Sequence, residues 1–198
     1  MSGGRRARSG PRLAIEPATR DRWPDVERLF GDRGACGGCW CMAWRLPRRE
    51  YDAGKGAPNK AALKRLTAKP IPPGIIGYHA GEPIAWCAVA PRAEYPALAR
   101  SRVLRPVDDR PVWSVSCLFV RKDHRRSGVA SAMLRAAARF AARHGARIVE
   151  GYPVIPTSGR APDVFLWTGP LAAFQRAGFS EVLRHSPVRP IVRRRARA

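Results

Sequence analysis

Apolar and polar positions switch repeatedly between a strand-like and a helix-like period along this chain. Leu13, Ala14 and Ile15 make a short strand candidate. Trp23, Val26, Leu29 and Phe30 share one helical face, and Thr19 stands where a cap belongs. Residues 31–38 read as a Gly-rich loop. Residues 47–69 are polar and helix-favouring, broken near residues 54–58 and ended by Pro70, Pro72 and Pro73. Two β-rich runs, 74–78 and 84–89, flank Ala80-Gly81-Glu82-Pro83 and predict a hairpin. A short helix is expected over 94–100 and a loop over 106–111.

Residues 112–120 are β-branched, aromatic or apolar and carry no charge, which fits a central strand. A loop over 121–127 leads to a helix over 128–144. Val129, Met133, Ala137 and Phe140 face its core side, while Arg135, Arg139 and Arg143 recur every four residues on its wet side. Gly145 is a stop signal. Residues 146–152 form another strand candidate and 153–162 an irregular loop. Thr168 is placed to cap a helix through Leu171, Phe174 and Ala177, ended by Gly178; residues 179–184 and 190–194 are the last two strand candidates. The order β, helices, ββ, β, α, β, α, ββ predicts a mixed α/β domain with a βαβ crossover in its middle.

The chemistry concentrates where the central strand meets that crossover helix. A helix opening leaves backbone N–H groups without partners and adds partial positive charge, so an anion such as a pyrophosphate suits it. Gly128 removes a side chain where backbone must approach phosphate, Ala130 keeps the next turn open, and Arg125 and Arg126 add formal charge. The segment Leu118-Phe119-Val120, followed by Arg125-Arg126-Ser127-Gly128-Val129-Ala130, resembles the acyl-CoA signature of the GNAT N-acetyltransferase superfamily. Arg125, Gly128 and Ala130 take its three defining positions. Phe174-Gln175-Arg176-Ala177-Gly178-Phe179 resembles the closing helix-turn-strand of the same family, so the likeness spans roughly residues 74–194. The chain also resembles bacterial GNAT proteins with an N-terminal Cys-Trp-Cys-Met-x-Trp-Arg element, here starting at Cys39.

The resemblance implies one GNAT-like domain over 13–194, with a mixed central sheet of about six or seven strands and helices on both faces. A mobile basic tail over 1–12 and a basic end over 195–198 flank it. It implies acetyl-CoA as cosubstrate, no metal, and direct attack by a primary amine in a ternary complex. Strands 112–120 and 147–152 would splay apart, with the pantetheine arm along Leu118, Phe119 and Val120. Arg125, Arg126, Ser127, Gly128, Val129, Ala130 and Ser131 would hold the phosphates, and Phe174 would border the cofactor. Glu150 is the leading general base, since a carboxylate on the strand flanking the acyl group can have a raised pKa; a solvent-facing strand position or a salt bridge to arginine is the alternative. Phe174 replaces a tyrosine that many relatives use to protonate the leaving thiolate, so either Tyr152 or a water would take that role, or the thiolate would leave unprotonated, or catalysis would be weak. Trp40, Trp44, Arg45 and Ser116 would shape the acceptor side, with the tryptophans as core anchors the alternative.

Composition narrows the remaining classes. The chain has 198 residues, 45% hydrophobic, enough for one domain with a core. It lacks a run of about 18 apolar residues, and the Gly- and Arg-rich residues 1–12 do not read as a signal peptide, so a cytoplasmic protein without a membrane span is expected. Five cysteines in such a protein do not predict disulfides. Cys36, Cys39 and Cys41 have knuckle-like spacing, but a fourth zinc ligand is not evident nearby. The net charge of +22 attracts polyanions, CoA and RNA among them. Aromatic-studded basic strands of a dedicated RNA module are missing, so an RNA- or ribosome-associated role on this scaffold ranks second. A homodimer is left open.

Overall fold

A computed structural model describes residues 12–156 and 167–197. Apart from Arg12, the expected basic tail lies outside the described residues, as do Ala198 and residues 157–162 of the expected loop. The elements run β1 (Ala14–Pro17), a 3-10 turn (Arg20–Arg22), α1 (Trp23–Phe30), α2 (Arg48–Ala53), α3 (Ala57–Leu66), β2 (Gly74–His79), β3 (Glu82–Pro91) and a 3-10 turn (Arg92–Glu94). Then follow α4 (Pro96–Ala99), β4 (Trp113–Val120), a 3-10 turn (Lys122–His124), α5 (Val129–Arg143), β5 (Ile148–Gly151), α6 (Leu171–Arg176), β6 (Ser180–Arg184) and β7 (Pro190–Arg195).

The seven strands form one sheet in the order β1-β2-β3-β4-β5-β7-β6. Only β4 and β5 pair in parallel, which demands a crossover, and α5 is that crossover. The expected mixed sheet with helices on both faces is thus the architecture. On one face, Val129, Met133, Ala137 and Phe140 of α5 are buried against Cys87, Val89, Val115 and Val149. On the other, α1, α3 and the loop holding Trp40 cover Ile76, Trp86 and Ala88. A smaller cluster under α4 joins Tyr95 and Leu98 to Tyr152 and Ile191.

Three local expectations change. The hairpin turn is two residues, Ala80 (φ 49°) and Gly81 (φ 80°), so Glu82 and Pro83 belong to β3, where Pro83 pairs with Tyr78 beside an irregularity that tolerates its missing N–H. Thr19 precedes a 3-10 turn without a side-chain capping bond, and α1 begins at Trp23 with a proline in its first turn. Thr168 does not cap α6. Pro170 stands at the cap, and Thr168 is buried with its hydroxyl accepting from Arg189 Nη1 at 3.3 Å.

Two features of β4 prepare the site. Its register against β3 passes from Val115↔Val89 to Cys117↔Ala88, leaving Ser116 as an extra residue in a bulge. Its pairing with β5 covers only residues 113–115 against 149–151, so beyond the bulge β5 no longer accompanies it.

Candidate active site

The loop after β4 builds an anion cradle from backbone. Arg125 Nε donates to the Val120 carbonyl at 2.8 Å, and Ser127 Oγ donates to the His124 carbonyl at 2.6 Å, so the loop's own side chains tie its turn. Arg126 (φ 59°) and Gly128 (φ 88°) are both left-handed, which directs successive N–H groups to one side before α5 begins. No side chain caps that helix, and its first backbone bond runs from Ala132 N to Gly128 O at 3.1 Å. The N–H groups of residues 126–131 have no partner among the described residues. One turn into α5, the Ser131 hydroxyl is buried and also unpartnered. These are the groups that an oxyanion would satisfy.

The expected slot for the pantetheine arm is present as a divergence of β4 from β5, but part of it is filled. Residues 167–170 run along the outer half of β4. Leu118 N donates to Trp167 O at 2.8 Å, Val154 N donates to Gly169 O at 3.1 Å, and Val154 forms a parallel bridge with Pro170. Trp167 stacks on Trp44 with ring centroids 5.6 Å apart. Phe174 lies beneath, fully buried. A Cβ on Gly151 would fall 2.1 Å from its ring, so only glycine lets β5 pass this aromatic. Phe174 also meets Phe179 edge-on at 5.2 Å. Nothing in the sequence signalled the segment at 167–170, because its partners are set by tertiary pairing.

Glu150 and Tyr152, the expected base and proton donor, lie away from solvent. Both are wholly buried in a charged network on the sheet face opposite α5. Glu150 Oε1 accepts from Arg92 Nη1 at 2.8 Å and from the Tyr152 hydroxyl at 2.7 Å, and Oε2 accepts from Arg193 Nε at 2.8 Å. Arg193 continues to Asp108 at 2.7 Å, and Ser114 Oγ sits 2.7 Å from the Tyr152 hydroxyl. Burial first, then the neighbouring Glu150 charge, holds the Tyr152 phenol well above its ordinary range. Two guanidiniums and a phenol thus occupy the oxygens of a carboxylate that has no contact with solvent. The salt-bridge alternative describes Glu150 here. Arg92, which sequence reading passed over, is the clamp that joins β5 to the loop before β4, since it also reaches the Leu98 and Leu104 carbonyls.

The Cys-Trp segment divides. Trp40 and Cys41 adopt left-handed φ of 41° and 54°, a turn that sends Trp40 into the core against Trp23 (5.8 Å) and Phe30 (5.6 Å). Trp40 is packed as the core-anchor alternative describes. Cys41 meets Cys117 at the β4 bulge, sulfur to sulfur 3.1 Å, and its thiol is held well above its ordinary range by that contact and by burial. Arg45 is committed too: it pairs with Glu94 at 2.6 Å, lies 4.5 Å over the Tyr95 ring, and is 6% exposed. Trp44 has a buried Nε1 without a partner among the described residues, beside the 167–170 segment. Ser116, at the bulge, neighbours the Tyr95 phenol without a well-formed hydrogen bond. Cys36 is exposed, and Cys39 is half-buried with its thiol pushed up to about 11, mainly by burial. A shallow recess of about 30 Å³, lined by Arg45, Lys69, Ile71 and Glu94 among others, lies beside Ala90 and Pro91, which pair with Ser114 and Trp113 at the opposite end of β4 from the cradle.

A sequence model of the acetyltransferase (GNAT) family matches residues 40–154. No curated protein matches the chain. Among solved structures, the GNAT domain of S. lividans PAT is 16% identical, with 95% of this chain and 93% of that one covered and a TM-score of 0.53. A GNAT-family acetyltransferase from Listeria monocytogenes is 8% identical over 96% and 98%, with a TM-score of 0.56. The polyamine N-acetyltransferase of Drosophila melanogaster is 11% identical over 92% and 98%, with a TM-score of 0.52. At these identities the likeness is one of fold. The family match runs through the bulged strand, the open helix mouth and the β4–β5 divergence, and with it the conclusion follows that this chain belongs to the GNAT family of acetyltransferases.

Proposed function

We propose that this protein transfers an acetyl group from acetyl-CoA to a primary amine by direct attack in a ternary complex, with residues 13–194 as the working unit. The observation that carries the reading is the open row of N–H groups at residues 126–131, at the mouth of a helix that follows a buried strand. Acetyl-CoA would supply a diphosphate and an activated thioester carbonyl. The N–H row and the Ser131 hydroxyl fit the first, and Arg126 adds charge on the same turn. Leu118 N–H and the outer edge of β4 would align the arm. The bulge at Ser116 marks where arm ends and acceptor begins, with Trp44 and Ser116 on the acceptor side.

Two consequences follow for this chain's own residues. Leu118 can serve the arm only after it releases Trp167, so residues 167–170 must move aside on binding, exchanging one backbone hydrogen bond for another. The attacking amine must also lose a proton and the departing thiolate gain one. Glu150 is sealed and Phe174 has no proton to give, so both transfers are assigned to solvent at the bulge, and the protein's contribution is positioning. The test is a panel of primary amines incubated with acetyl-CoA, read as free thiol and as acetylated product by mass. Amine-dependent release of thiol is expected. Tight binding of acetyl-CoA with no release for any amine would overturn transfer as the function.

A further inference from the structure

We infer that the outer face of α5, together with the end of β7, is a docking surface for the phosphate backbone of RNA. Arg135, Arg139 and Arg143 stand at four-residue spacing, about one helical turn apart, on the side of α5 away from the sheet. Arg194 and Arg197 join them from β7 and its end. Arg194 is pushed below its ordinary range first by burial and then by repulsion from Arg135, Arg139 and Arg197, which puts the four guanidiniums together. Arg135 donates to the Arg176 carbonyl at 3.2 Å and Arg194 to the Ala177 carbonyl, so the C-terminal end of α6 holds both in place and brings Arg176 alongside.

None of α5, α6 and β7 contains an acidic residue. Elsewhere several surface arginines are matched by acids. Arg22 pairs with Glu16, Arg28 with Asp25, Arg48 with Asp52, Arg121 with Asp123, and Arg184 with Glu181. Arg135, Arg139, Arg143, Arg176, Arg194 and Arg197 have no ion-pair partner among the described residues. Like charges on one helix face cost stability, and a fixed row of guanidinium forks matches a row of phosphates. A lipid surface is the poorer occupant, because none of the exposed large apolar residues (Ile71, Val103 and Val182) lies on these elements to anchor an interfacial contact. The surface is also distinct from the cradle at residues 126–131, which opens at the other end of α5.

The test is fluorescence anisotropy of a labelled single-stranded RNA 20-mer of mixed sequence with the full chain, across a salt series. Wild type is compared with R139Q/R143Q/R197Q, and a thermal shift with acetyl-CoA reports that the variant is folded. The variant should bind RNA at least tenfold more weakly at about 0.15 M salt, and its plot of log affinity against log salt should be shallower by roughly 2. Equal RNA affinity of the two proteins would overturn the inference. So would arginine-dependent binding to vesicles of anionic phospholipid that exceeds binding to RNA.

Discussion

Single residues decide whether the cradle and its support exist. Gly128 sits at φ 88° where the backbone turns into α5. A Gly128→Val substitution meets a left-handed penalty of about 1–2 kcal/mol and places a branched side chain where a phosphate would lie. Acetyl-CoA affinity should fall tenfold or more by calorimetry while the circular dichroism spectrum is kept. Glu150 tests the opposite kind of role. Glu150→Gln leaves Arg92 and Arg193 facing a neutral amide in the core, and loss of one member of a buried ion network costs about 3–5 kcal/mol. Urea denaturation should show that loss. A variant of unchanged stability but collapsed turnover would restore Glu150 as the base. Gly151→Ala presses a methyl into the Phe174 ring and should cost about 1–3 kcal/mol in the same assay.

At the level of elements, the uneven partnership of β4 organises the site. On one edge β3 follows it over its full length. On the other, β5 stops at Gly151 and residues 167–170 take over at Leu118. The stack of Trp167 on Trp44 helps hold that segment in place, and an aromatic pair contributes about 0.5–1.5 kcal/mol. Removing it by Trp167→Ala should ease displacement of the segment and tighten acetyl-CoA binding roughly two- to tenfold. Weaker binding would mean that Trp167 is part of the bound state and not in its way. The same contrast explains what sequence could disclose. The uncharged run before Val120, Gly128 and the apolar stripe of α5 are local signals, and they locate β4, the loop and the helix within a residue or two. Trp167 on Leu118, Arg92 on Glu150 and Cys41 on Cys117 join distant stretches, and no periodicity announces such pairs. Aromatic and basic side chains such as Trp40 and Arg45 suit both pockets and cores in sequence; only burial separates the two uses.

The whole molecule carries a strongly basic exterior, and several of its acids are held by arginines. Arg193, then Arg110, keep Asp108 well below its ordinary 3.8, and Arg121 keeps Asp123 at about 2. Their folded values lie below the unfolded ones, so the stability they lend is present above pH ~4 and is lost as pH falls towards 2. Melting temperature should therefore drop through that window, and less steeply in Asp123→Asn than in wild type. The central claim concerns six backbone amides, and it is tested most directly by amide hydrogen exchange with and without saturating acetyl-CoA. Exchange at residues 126–131 should slow markedly on binding, while amides on β6 stay unchanged. Saturable binding that left residues 126–131 exchanging as fast as in the unliganded protein would contradict the account.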